Sequence, residues 1–330
     1  MQDECPWERL RELRQACPDV CLQMLIRGAN AVGYTSYPDN VVAEFVRLAA
    51  INGMDVFRIF DCFNDVDSMR VSIDAVRAAG KVAEVCLCYT GDVLTSPIYN
   101  LAYYQGVARE AVQAGAHILG IKDMSGLLRP LEAGPLLAAI REVAPGVPIH
   151  FHTHATSSGS LATCFEMARH HCDIIDCCTA SMADGTSQPS LNAFVAMMQG
   201  GENDTGINFL KLEPYDMYWA RVRDMYEPFE SGMKSGTARV FEHQVRSIAT
   251  VPCMSCQIDQ FRVWLYMKSS VCSRACCSFR FLFFVPSCAL RIVCILHCRS
   301  PAVNTRTYWC SVAPWACTPS GRRCWMPIET

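Results

Sequence analysis

The chain has 330 residues, 51% of them apolar and 18% charged, with a formal net charge of -3 and a pI near 6.2. That length holds one large domain or two modest ones around a sizeable core. The near-neutral balance excludes an electrostatic case for nucleic acid or an anionic membrane surface, so neither is expected as a partner.

The start, Met1-Gln2-Asp3-Glu4-Cys5-Pro6, is neither a signal peptide nor an Arg-rich transit peptide and reads like the middle of a gene. The expected location is cytoplasmic or mitochondrial, with no targeting signal visible. The 21 cysteines are therefore read as reduced thiols rather than disulfides.

Apolar runs of strand length then alternate with amphipathic stretches. Val20–Ile26 is predicted as a strand, Val42–Asn52 as a helix ending near Gly53, and Met54–Phe60 as the next strand. Ser68–Ala79 is a helix stopped by Gly80, Val82–Tyr89 a strand, and Tyr103–Ala114 a helix stopped by Gly115. Strands at Ala116–Ile121, Pro148–His152 and Asp173–Cys178 alternate with helices at Glu132–Val143, Leu161–Arg169 and Leu191–Gln199. A short strand at Gly206–Phe209 and a helix around Tyr215–Tyr226 complete the pattern. Such βα alternation fits a parallel sheet, either open and doubly wound or closed as a (β/α)8 barrel. No G-x-G-x-x-G turn follows the first strand, which disfavours dinucleotide binding. Seven strands are expected, one short of a closed barrel.

The character changes near Gln244. Residues 245–330 hold eleven of the 21 cysteines, ten Lys or Arg but only two acids, and a single glycine. No period of helix or strand persists there, and the apolar run Arg280–Val285 is too short for a membrane span of about 20 residues. Gln244-Val245-Arg246 can be encoded as CAG-GTN-AGR, the pattern of an exon–intron junction. The expected organisation is a barrel unit over 1–244 and an unrelated, irregular tail over 245–330, translated from intron or disordered.

Polar residues collect where the strands end, which is where barrel enzymes keep their chemistry. In His150-Phe151-His152-Thr153-His154, side chains two apart share a face, so His152 and His154 can reach one metal ion. Ordinary hydrogen-bonded histidines are the alternative. Lys122 ends the apolar run Ile118-Leu119-Gly120-Ile121 and either pairs with Asp123 or, as a neutral amine, takes up CO2 to become a carbamate ligand. Arg27 is a bidentate carboxylate clamp or a strand-end salt bridge. Asp61 orients Arg27 or a bound water, or caps a helix.

Taken together, the runs Glu4–Leu10, Leu25–Asn30, Gly33–Asn40, Asp55–Asp61, Cys88–Asp92, Ile121–Met124, His150–His154 and Thr186–Pro189 resemble the carboxyltransferase barrel of the pyruvate carboxylase type. This HMG-CoA lyase-like family also includes the oxaloacetate decarboxylase alpha subunit and the transcarboxylase 5S subunit. The resemblance covers about residue 4 to His243. It implies a (β/α)8 TIM barrel and transfer of a carboxyl group from carboxybiotin to pyruvate, giving oxaloacetate through an enolate. By resemblance, His152, His154 and carbamylated Lys122 hold a divalent metal, zinc or manganese. Arg27 binds the pyruvate carboxylate, and Tyr34 and Asp61 line the pocket. Biotin sits on a carrier domain elsewhere, and the intact enzyme is expected to be a homo-oligomer.

The family's Arg-Asp-Ala-His-Gln-Ser strand, with an aspartate ligand and a pyruvate-contacting glutamine, has no counterpart here. Neither has its Pro-Gly-Gly-Gln run, its downstream proton-shuttling threonine or its biotin domains, and Ala155 stands where it has Asp. The expectation is a barrel lacking its first strand and, on its own, inactive. The other readings are a decarboxylase- or transcarboxylase-type subunit and a non-catalytic metal-binding remnant.

Overall fold

The computed structural model describes residues 4–230, 236–237, 241, 294–295 and 309–310. Its centre is a run of parallel strands, β1 (Gln23–Ile26), β2 (Val56–Phe60), β3 (Val82–Cys88), β4 (Ile118–Asp123), β5 (Ile149–Thr153) and β6 (Ile174–Cys177), in sequential order. Helices α1 (Pro6–Ala16), α2 (Asp39–Ile51), α3 (Val66–Ala78), α4 (Leu101–Ala114), α5 (Pro130–Val143), α6 (Ser160–Arg169), α7 (Leu191–Met198) and α8 (Glu213–Tyr226) precede, link and follow them. The sheet curls into an incomplete (β/α) barrel, because each βα unit returns the chain beside its predecessor.

Local chemistry sets the boundaries. Asp65 caps α3 by accepting from the Asp67 and Ser68 amides at 3.1 and 3.4 Å, and Asn100 caps α4 through the Tyr103 amide at 3.0 Å. Gly115 ends α4 with φ +102°, which L side chains rarely adopt. Pro130 opens α5, where its missing N–H costs nothing.

Strands β2, β4, β5 and β6 are buried along their whole length. Alternation sorts their side chains. Phe57, Ile59, Val85, Leu87, Leu119, Ile121, Ile149, Phe151 and Ile175 share one continuous core with the helices. Truncating one of the large ones, such as Phe151→Ala, costs about 3–5 kcal/mol. The other face turns inward and carries Arg58, Glu84, Lys122, His150, His152 and Asp176, all under 9% exposed. Gly120 makes room for them: a Cβ there would lie 2.6 Å from Cys86 Sγ and 3.0 Å from Glu84 Oε1.

Three expectations need correcting. The strand expected at Gly206–Phe209 is absent, so six parallel strands stand where seven were counted. Gly206 has φ +68°, and Asn208 instead caps a short 3-10 helix, Phe209–Lys211, by accepting the Leu210 amide at 3.0 Å. Helix α1 was not anticipated; it buries only Leu13 fully, so its apolar stripe is faint. Lys122 and Asp123 do not pair. Successive strand residues face opposite ways, and Asp123 accepts from Thr153 Oγ1 and the Leu127 and Leu128 amides at 2.9–3.0 Å.

The tail expected over 245–330 lies outside the described residues, save two two-residue strands. β7 (Cys294–Ile295) pairs antiparallel with β6, and β8 (Trp309–Cys310) with β7. Among the described residues no helix is long and apolar enough to cross a membrane.

Candidate active site

The inward face is built around one guanidinium. Arg58, on β2, donates to Glu84 Oε1 on β3 at 2.6 Å and to Asp176 Oδ2 on β6 at 2.7 Å. His150, on β5, stands between the same acids, with Nδ1 3.0 Å from Glu84 Oε2 and Nε2 2.6 Å from Asp176 Oδ1. Both ring nitrogens face carboxylate oxygens, which accept only and favour the imidazolium, while Arg58 Nη2 lies 3.0 and 2.9 Å from Nδ1 and Nε2 and opposes it. Gln23, on β1, adds a bond to Glu84 Oε2 at 2.5 Å.

With His150 protonated, two cations face two anions, a balance that lets the set tolerate burial. Burial alone would raise the Glu84 and Asp176 carboxyls, but Arg58 and His150 outweigh it and hold both low, Asp176 well below the usual range. Burial would likewise lower His150, and the facing Asp176 and Glu84 hold it raised instead. His152 differs. Burial, with Lys122 and Arg58 nearby, drives it well below 6.5 despite its bond to Asp176, so its ring is neutral.

Above this layer, at the C-terminal ends of β4 and β5, two imidazoles converge. His152 Nε2 and His154 Nε2 are 3.3 Å apart with their rings nearly perpendicular. His154 Nδ1 lies 2.6 Å from the Thr186 carbonyl, an acceptor only, so Nδ1 carries a proton and Nε2 is the nitrogen turned toward His152. His152 Nδ1 lies 2.7 Å from Asp176 Oδ2. With metal–nitrogen bonds of about 2.0–2.1 Å, neighbouring ligands on a tetrahedral cation stand about 3.3–3.4 Å apart. The imidazole pair therefore fits a metal ion. Gly126, φ +67°, lets the loop after β4 pass close by: a Cβ there would lie 2.5 Å from the His154 carbonyl oxygen.

Lys122 is the register partner of His152 and shares its face, with Nζ 4.9 Å from the Phe60 ring centre. Among the described residues no three His, Cys, Asp or Glu side chains converge on one point.

The remaining expected residues sit around the first two strand ends. Arg27 follows β1 and donates to the Gly33 carbonyl at 3.2 Å, and its guanidinium lies 4.5 Å from the Tyr34 ring centre. Tyr34 is 68% exposed. Asp61 Oδ2 accepts from the Phe63 and Asp65 amides at 2.9 and 3.1 Å, which is turn capping.

A second acid pair lies at the barrel mouth. Glu132, in the first turn of α5, accepts from the Tyr89 hydroxyl at 3.0 Å and the Arg129 amide at 2.9 Å through Oε2. Its Oε1 is buried with no donor, beside Asp92. Burial, then the Asp92 contact, pushes the Glu132 carboxyl up to about 7. Asp92 is held down to about 2, first by that contact and then by Thr95 and Arg129.

Sequence reasoning missed the Arg58–Glu84–His150–Asp176 cluster. The available signal was a charged residue in the middle of an apolar strand, as in Val56-Phe57-Arg58-Ile59-Phe60 and Ile174-Ile175-Asp176-Cys177.

Residues 61–216 match the HMGL-like family model. The chain is 47% identical over 246 residues to pyruvate carboxylase 1 of Caenorhabditis elegans and 48% identical over 244 residues to pyruvate carboxylase of Bacillus subtilis. Each alignment covers 73% of this chain and 21% of the relative, so the chain spans about a fifth of the length of the curated relatives it matches. It also superimposes on the carboxyl transferase domain of Rhizobium etli pyruvate carboxylase, solved with pyruvate and biocytin. There the TM-score is 0.71 at 47% identity, covering 73% of this chain and 41% of that one.

Proposed function

Since this chain carries an HMGL-like domain and belongs with the carboxyltransferase domains of pyruvate carboxylases, we propose that its barrel is the metal- and pyruvate-binding part of such a centre. The observation that carries the reading is the 3.3 Å approach of two imidazole Nε2 atoms at the C-terminal end of a barrel sheet. With both nitrogens unprotonated, lone pairs that close repel unless a cation lies between them.

In this reading His152, His154 and carbamylated Lys122 hold zinc or manganese. When bound, the metal supplies Lewis acidity toward the pyruvate carbonyl and its enolate. The chain's own residues do the rest. Arg27 presents N–H donors to the substrate carboxylate, and the Tyr34 ring and Gly33 carbonyl fix the guanidinium plane. Lys122, buried against Phe60 and paired in register with His152, is the residue whose Nζ would carry the carbamate. Asp61 closes the pocket beside Arg27 and keeps the loop after β2 in place. Carboxybiotin arrives on a carrier domain, in a homo-oligomeric assembly located in the cytoplasm or mitochondrion. Residues 1–244 form the working unit in this reading. The matched relatives are named pyruvate carboxylases, which favours that type over the decarboxylase and transcarboxylase subunits.

The test uses the full chain. Metal content after zinc or manganese loading should reach one ion per chain and fall to background in His152→Ala and His154→Ala. Manganese should broaden the pyruvate methyl NMR signal, and Arg27→Gln should abolish the effect. Biocytin-dependent decarboxylation of oxaloacetate separates a working centre from a non-catalytic metal-binding one. A chain that takes up no metal at either loading would sink the proposal.

A further inference from the structure

Resting on the metal reading of His152 and His154, we propose that Asp176 is a positioning residue: it fixes His152 as the Nδ1-protonated tautomer and so aims the Nε2 lone pair at the point that His154 also faces. The contacts of one nitrogen carry the argument. His152 Nδ1 meets an acceptor, Asp176 Oδ2, at 2.7 Å and a donor, Arg58 Nη1, at 3.1 Å. A ring nitrogen in neutral imidazole is either donor or acceptor. If Nδ1 accepted from Arg58, its lone pair would also point at a carboxylate oxygen 2.7 Å away, which is repulsive. If Nδ1 donates to Asp176, the shorter contact becomes a charge-assisted hydrogen bond. Arg58 Nη1 then directs one of its two N–H groups to the same Oδ2, at 2.7 Å.

Asp176 can do this because it is itself immobilised. Its Oδ1 takes His150 Nε2 at 2.6 Å, its Oδ2 takes Arg58 and His152, and it is fully buried. The cluster thus ties strands β2, β3, β5 and β6 to one imidazole orientation. At His154 the Nδ1 contact is to a backbone carbonyl, Thr186, at 2.6 Å. Outer contacts of this kind set ligand orientation and basicity, and their loss commonly weakens metal binding about 10–100-fold.

The experiment reads the tautomer directly. Long-range 15N–1H NMR of the metal-free, histidine-labelled chain, with His152→Gln to assign the signals, should show His152 protonated at Nδ1 and unprotonated at Nε2. In Asp176→Asn the preference should be lost, and zinc affinity should fall about 10–100-fold while far-UV circular dichroism keeps its wild-type shape. A wild-type His152 protonated at Nε2 overturns the proposal, as does an Asp176→Asn chain with unchanged zinc affinity. If that variant does not fold, the wild-type tautomer decides alone. The two readings fail separately. An Nδ1-protonated His152 in a chain that binds no zinc sinks the metal reading only, whereas tight zinc binding with the opposite tautomer sinks this one only.

Discussion

Inside the barrel, Glu84 and Asp176 face Arg58 and His150; at its mouth, Asp92 and Glu132 face each other, with Tyr89 and Arg129 around them. All four acids are wholly or partly buried, yet their carboxyls move in different directions. The interior pair is neutralised by cations, and both members ionise more easily than free carboxyls. The mouth pair has one cation, Arg129, engaged with Asp92 at 2.6 Å. Its second charge is removed by a proton that Glu132 keeps up to about pH 7. A proton there would also suit the donorless Glu132 Oε1, which can then donate rather than accept. Burial alone therefore does not fix the sign of a carboxyl shift; the nearest counter-charge does.

The largest break in this contrast comes from removing the interior cation. Arg58→Met leaves Glu84 and Asp176 buried with His150 as their remaining counter-charge. The expected loss is about 3–5 kcal/mol of folding stability at pH 7, measured by urea denaturation. A loss below about 1 kcal/mol would mean that the cluster is not charged.

Changing pH separates the two sites by sign. Glu84 and Asp176 have lowered folded values, so their stabilisation is present above the unfolded carboxylate range, near pH 4, and is lost as pH falls through their folded values. Glu132 is raised from 4.5 to about 7, so its contribution is complete below pH 4.5 and is lost as pH rises through 7. That loss is on the order of 3 kcal/mol. His150, also raised, adds a decline of the same sign at higher pH. Stability against pH, from denaturation midpoints between pH 3 and 8, should therefore rise from the acid side and already be falling before neutrality. A flat profile between pH 5 and 7 would remove the protonated Glu132.

Smaller is the effect of Tyr89→Phe. It deletes the hydroxyl that donates to Glu132 Oε2 and accepts from the Val93 amide at 3.2 Å, stranding one buried N–H. The cost should be about 1–2 kcal/mol, with the falling limb of the pH profile displaced upward, because protonated Glu132 needs fewer donors than the anion.

How much of this was legible in the sequence follows from the range of each interaction. Strands and most helices were readable because their signals are local: apolar runs, with Gly80 and Gly115 as stops. The convergence of His152 and His154 follows from a two-residue repeat at a strand end. The same repeat puts His150 on that face, but its partners Glu84 and Asp176 lie 66 and 26 residues away, and pairing at that distance leaves no local mark. Lys122 and Asp123 were offered as a pair because they are neighbours in sequence, and strand alternation forbids it. Gly206–Phe209 looked like a strand by composition, but a positive φ at Gly206 and the cap from Asn208 make it a turn.

The smallest predicted effect is the most diagnostic. Glu132→Gln puts a neutral amide where the protonated acid stands. Its oxygen can still accept from the Tyr89 hydroxyl and the Arg129 amide, and its NH2 can donate to Asp92. Stability below pH 4.5 should change by less than about 1 kcal/mol, and the decline between pH 4.5 and 7 should vanish, so that the variant becomes more stable than the wild-type chain as pH rises through that range, as followed by denaturation midpoints. The same exchange at Glu84 removes one of the two carboxylates that hold Arg58 and strands a buried charge, so it should cost more at every pH above 4. Equal costs at the two positions would mean that Glu132 is ionised like Glu84, and that the mouth pair is held by Arg129 rather than by a proton.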